Sequence, residues 1–112
     1  NLTNLTSLDL SSCESLQNVD GMSNLPNLTS LDLHYCKSLQ DVDGLANLTK
    51  LISLDLHYCK SLQNVDGLSN LTNLTDLDMR DWEIVNPAPR KYWMDERDQV
   101  VEYQVKIKKS MK

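Results

Sequence analysis

The residues able to do chemistry in this 112-residue chain are few and regularly spaced. Ser30, Asp32 and His34 alternate along one short segment, and Ser53, Asp55 and His57 repeat the trio further on. These are the residue types of a hydrolase relay. Along an extended strand, however, alternate side chains stand about 6.6 Å apart, whereas a relay needs hydrogen-bond contacts of about 3 Å. A duplicated trio is also what copying a segment produces, so no catalytic residue is expected. His34 and His57 beside Asp32 and Asp55 offer nitrogen and oxygen ligands. Two bonds of about 2 Å to one ion would require side chains of neighbouring segments to converge. The expectation is therefore no metal and no cofactor, and the chain carries no Gly-rich phosphate loop, paired-cysteine motif or nucleotide fingerprint.

The third chemistry is recognition. Asp9, Asp32, Asp55 and Asp78 recur at one repeat position, and Ser11, His34, His57 and Arg80 at the next outward one. Ser12, Tyr35, Tyr58 and Asp81 lie just beyond. A strip of carboxylates flanked by imidazoles, phenols and one guanidinium suits a basic protein surface, with the tyrosines as anchors. The expected partner-binding set is Asp32, His34, Tyr35, Asp55, His57, Tyr58, Asp78 and Arg80. The plainer reading is that Asp after Leu is a solvated strand residue copied four times. Like charges about 4.8 Å apart repel by about 1 kcal/mol in water, so the column must be solvated, splayed, or paired with the histidines and Arg80.

What positions these columns is a repeat. Residues 5–27, 28–50 and 51–73 read LTSLDLSSCESLQNVDGMSNLPN, LTSLDLHYCKSLQDVDGLANLTK and LISLDLHYCKSLQNVDGLSNLTN, and a fourth copy starts at Leu74. A fixed period of this size marks a solenoid, in which equivalent positions stack as ladders. Within one unit, Leu28-x-x-Leu31-x-Leu33 has the two-residue alternation of a half-buried strand, with Leu31 and Leu33 inward and Ser30, Asp32 and His34 outward. Leu39 and Val42 re-enter the interior. Asp43-Gly44 reads as a turn, Gly supplying backbone freedom and Asp an N-cap for a short 3-10 or irregular segment across residues 45–48.

The pattern LxxLxLxxCxxL followed by VDGLxNLxN resembles the leucine-rich repeat family, in its cysteine-containing branch, and Gly-Leu-Ala-Asn-Leu-Thr is similar to bacterial, internalin-like members. The resemblance covers residues 1–82. It implies a right-handed α/β-type solenoid with parallel strands on the concave face and 3-10 or irregular convex segments. It also implies a non-catalytic module that binds protein partners on that face. A structural or assembly segment of a longer repeat protein is the alternative. An internalin-like chain implies a bacterial surface or secreted setting, whereas thiols kept reduced would suit the cytoplasm.

Cys13, Cys36 and Cys59 share one repeat position, which Trp82 takes in the fourth unit; the odd number favours a column of buried thiols over a disulfide framework. Asn1, Asn4, Asn27, Asn47, Asn70 and Asn73 each begin an Asn-Leu-Thr sequon, a glycan acceptor or simply the polar flanks of an obligatory Leu. Asn1-Leu2-Thr3-Asn4 matches the end of a unit, so the chain is expected to start inside a longer array. The open first rung could then self-associate.

From Glu83 the pattern fails. Val85 and Ala88 still fit inward positions, and Tyr92, Trp93 and Met94 supply bulk to cover the last rung. Val101, Tyr103, Val105 and Ile107 alternate with polar residues, so residues 83–112 are expected to form a β cap, with a hairpin over 89–108, or the start of a β-domain, ending in a frayed basic tail. The formal net charge is −5, with ten acidic against four basic residues through Arg80 and six against seven thereafter. Nucleic acid and anionic lipid are poor partners for such an array. No apolar run approaches the roughly 18 residues of a membrane span.

Overall fold

The three-residue strands exist because only residues 7–9 and their equivalents alternate cleanly before the chain turns. The structure, a computed structural model, describes residues 4–80 and 87–111. Strands β1 (Ser7–Asp9), β2 (Ser30–Asp32), β3 (Ser53–Asp55) and β4 (Asp76–Asp78) form a parallel sheet in that order. The register pairs Asp9 with Asp32, Asp32 with Asp55 and Asp55 with Asp78, so the columns inferred from the repeat are physical ladders. The crossovers carry 3-10 turns at Asp20–Asn24, Asp43–Leu45 and Asp66–Leu68 on the convex side. The chain is a right-handed solenoid.

Each rung delivers a set of apolar side chains that only a neighbour can bury. In the second rung Leu28, Leu31, Leu33, Cys36, Leu39, Val42, Leu45 and Leu48 are all buried. Their counterparts Leu5, Leu8, Leu10, Cys13, Leu16 and Met22 in the first rung are only partly so, packing on the core from one side. The glycines serve a different purpose from the one expected. None has a positive φ. Gly44 and Gly67 lie where the turn of one rung presses on the backbone of the rung before it, at Val19 and Val42. The residues in the left-handed region are instead Ser12, Tyr35 and Tyr58, at φ 62°, 62° and 63°. Nor does Asp43 cap its turn: it is the first turn residue, and its N–H is accepted by the Asp41 side chain at 3.1 Å. Asn18 and Asn64 do the same for Asp20 and Asp66.

The cysteine column is a ladder of thiols, each buried one donating to a carbonyl of the previous rung: Cys36 Sγ to Leu10 O at 3.2 Å and Cys59 Sγ to Leu33 O at 3.1 Å. Burial pushes both thiols up, that of Cys59 to about 12. Cys13 on the first rung is half-exposed. A thiol-reactive dye should therefore label Cys13 quickly in the native chain and reach Cys36 and Cys59 only on unfolding. Equal rates at all three would contradict the ladder. Trp82, at the fourth position of the column, lies outside the described residues, as do Asp81, Val85 and the expected boundary at 82/83.

The C-terminal segment corrects the expected hairpin. β5 (Trp93–Met94) pairs antiparallel to β4, and residues Arg97–Ser110 form a 14-residue helix, α1. Val100, Tyr103, Gln104 and Ile107 are its buried face, spaced i, i+3, i+4, i+7. That period was obscured because Val101 and Val105 also alternate with polar residues, while the helical face includes Gln104. Asp98 in the first turn and Lys108 and Lys109 in the last suit the helix dipole. Lys108, Lys109 and Ser110 of the basic tail thus belong to the helix. Gln104 Nε2 donates to Leu68 O and Leu71 O, and Arg97 to Leu71 O and Leu74 O, serving carbonyls at the end of the array. Met94 is buried, whereas Tyr92, Trp93 and Ala88 are exposed and do not line the interior. No described helix is long and apolar enough to cross a membrane.

Candidate recognition strip

The Asp column begins as a structural device. Each strand ends at its Asp, whose Oδ1 accepts the N–H two residues on: Asp9 from Ser11, Asp32 from His34, Asp55 from His57 and Asp78 from Arg80, at 2.9 to 3.1 Å. This Asx-type turn bends the chain out of the sheet and folds the next outward side chain back over the carboxylate. His34 Nδ1 thus reaches Asp32 Oδ1 at 2.6 Å, and His57 Nδ1 reaches Asp55 Oδ1 at 2.7 Å. The contact that strand geometry seemed to forbid is made because the strand stops at Asp. The hydrolase relay is still incomplete: among the described residues no serine hydroxyl is hydrogen-bonded to either imidazole.

The rungs also interlock. His34 Nδ1 lies 3.8 Å from Asp55 Oδ2, and His57 Nδ1 lies 3.7 Å from Asp78 Oδ2, so each imidazole bridges two carboxylates. Arg80 closes the series by gripping Asp78 with Nε and Nη2. This pairing is how the fold tolerates stacked carboxylates. Exposure of the acid falls along the strip, from 33% at the Asp32 side chain to 30% at Asp55 and 9% at Asp78. The anionic character open to a partner therefore sits at Asp9, which is exposed on the first strand, and at Asp32 and Asp55.

Beside the acids lies a cluster of rings. His34 and His57 stack at 4.8 Å and 8°. Tyr35 packs edge-on against both imidazoles and lies 4.8 Å from Tyr58. All eight residues expected from the sequence are thus linked by contacts. Arg80 and Asp78, however, are largely spent on each other. Two participants were missed: Lys60, over the Tyr58 ring, and Trp93, whose ring lies under Arg80 at 4.6 Å. Trp93 comes from the antiparallel strand outside the repeats, so no column could have indicated it.

Burial pushes the Asp78 carboxyl up, but the hydrogen bonds and charge of Arg80 outweigh it and hold the group below the ordinary carboxylate range. A lowered folded pKa contributes stability that is present above the unfolded value and lost as pH falls through the folded one. Arg80→Met should therefore be less stable than the parent at neutral pH, with the gap narrowing as Asp78 protonates below about pH 4. Urea melts at a series of pH values test this; a gap independent of pH would contradict it.

Two overlapping stretches, residues 3–47 and 26–70, match the family model described as Leucine Rich repeats (2 copies). Among solved structures, an internalin from Listeria monocytogenes is similar at 33% identity and a TM-score of 0.67, over 75% of this chain and 24% of its own. An internalin C2 from the same organism is similar at 36% identity and a TM-score of 0.67, over 77% of this chain and 36% of its own. The chain thus spans 24% and 36% of those two structures. No curated protein matches it significantly.

Proposed function

Since the chain belongs to the leucine-rich repeat family and is internalin-like, we propose that it is a non-catalytic protein-recognition module whose partner docks a basic segment on the concave strand face. The observation that carries this is the conformation of the tyrosines. A bulky residue in the left-handed region costs about 1 to 2 kcal/mol, and Ser12 shows that a small polar residue fits the same turn. Tyr35 and Tyr58 occupy it on two successive rungs, in a ring cluster next to the part-exposed carboxylates of Asp32 and Asp55, with Tyr35 39% exposed. Rings beside carboxylates are what a Lys or Arg side chain is drawn to.

Panning a random peptide display library against the chain at low salt tests this. Basic peptides should be enriched, and their affinity should fall about tenfold or more in Asp32→Asn/Asp55→Asn and at high salt. Tyr35→Asn/Tyr58→Asn should also lose binding while staying folded, because Asn accepts the left-handed conformation. Peptides without basic bias, or affinities unchanged in both variants, would overturn the proposal.

The one-sided burial of Leu5, Leu8, Leu10, Leu16 and Met22 favours a second reading, in which this rung serves assembly by packing against further repeats or another copy. Light scattering separates the two: a mass that grows with concentration supports assembly, and a constant monomer supports recognition alone.

A further inference from the structure

We propose that His34, Asp55 and His57 form a binding site for one borderline divalent metal ion of the zinc(II) class, independently of the recognition reading. The parallel register places the two imidazoles on adjacent rungs with the Asp55 carboxylate between them. Asp55 Oδ1 lies 2.7 Å from His57 Nδ1 and Oδ2 lies 3.8 Å from His34 Nδ1. One ligand atom from each of the three residues falls within 4.8 Å of the others. Bonds of about 2.0 to 2.2 Å to one ion put ligand atoms about 3.3 Å apart, so the widest pair must close by about 1.5 Å. Rotations of these part-exposed side chains can supply that while the backbone stays in place.

The donor set selects the ion. Two imidazole nitrogens and one carboxylate oxygen, with no thiolate, suit zinc(II), copper(II) or nickel(II) rather than calcium or magnesium, and leave a coordination position for water. Charge favours occupancy too. Arg80 already compensates Asp78, whereas the close contacts of Asp32 and Asp55 are to His34 and His57, which carry charge only when protonated. A divalent ion would balance these two carboxylates. A nitrogen that binds the ion can no longer donate, so an imidazole ligating through Nδ1 would give up its contact with Asp. Asp32 Oδ1 and Asp78 Oδ2 flank the site as acceptors for the water.

The test is calorimetric titration of the chain with zinc chloride under reducing conditions, with thermal melts in parallel. One ion per chain should bind and raise the melting temperature. Binding should weaken about tenfold or more in His34→Gln and in His57→Gln, weaken in Asp55→Asn, and persist in Cys13→Ser. Magnesium chloride should not substitute. Absence of saturable zinc binding by the unmodified chain would overturn the proposal. So would binding that survives in the double variant His34→Gln/His57→Gln, or that is lost in Cys13→Ser.

Discussion

Gly44→Ala and Gly67→Ala should each destabilise the chain by about 3 kcal/mol, whereas Gly21→Ala should be neutral or gain about 0.5 kcal/mol. The three glycines occupy one repeat position, so residue type and local sequence predict equal effects. The packing does not. A methyl group on Gly44 would fall onto the Val19 carbonyl, 2.5 Å from its carbon, and one on Gly67 would sit 2.8 Å from the carbonyl carbon of Val42. Both obstacles are backbone and cannot rotate away. Relief requires the rungs to separate, which strains the bonds from Gln40 N to Gln17 O and from Gln63 N to Gln40 O, both 2.9 Å. Gly21 has nothing within 4 Å, so its methyl would meet open space, and the gain comes from restricting the unfolded chain. Urea midpoints of the three variants decide it. Equal losses would mean that glycine is required by the turn itself rather than by the neighbouring rung.

Replacing Tyr103 by Ala should cost about 4 kcal/mol, while Tyr103→Phe should cost about 1 kcal/mol. Tyr103 is 1% exposed, and its hydroxyl donates to Pro87 O at 2.7 Å. The large loss comes from the cavity under the helix and the small one from that single hydrogen bond. Because α1 also brings Val100, Ile107 and Gln104 onto the end of the array, unfolding of Tyr103→Ala should remain one transition at a lower urea midpoint. A separate early transition for the helix, with the array midpoint unchanged, would show that the helix is peripheral.

Much of this fold could be read from the sequence because copying makes register visible. A 23-residue echo aligns Asp9, Asp32, Asp55 and Asp78 before any coordinates are known, and the observed pairing follows it residue for residue. What escaped had no copy to compare. The segment from Arg97 occurs once, and there a two-residue alternation of Val101, Tyr103, Val105 and Ile107 competed with the helical set that uses Gln104 as an interior residue. Gln104 looked external because its partners, the Leu68 and Leu71 carbonyls, lie more than 30 residues earlier in the chain. The site shows the same division. Column membership identified the Asp, His and Tyr residues, but the Asx turns that fold His34 onto Asp32 depend on where each strand ends, which alternation alone does not fix. The left-handed tyrosines carry no sequence signal either, since Tyr is a residue type normally excluded from that conformation.

The central claim is that partners are met on the concave strands, and the most direct measurement is a backbone amide NMR titration of the labelled chain with a peptide selected from the display library. The account predicts that shifts concentrate at residues 32–35 and 55–58, fading toward 78–80 where Arg80 already occupies Asp78. Shifts confined to the convex turns at 43–48 and 66–71, with the Asp and Tyr columns unmoved, would contradict it.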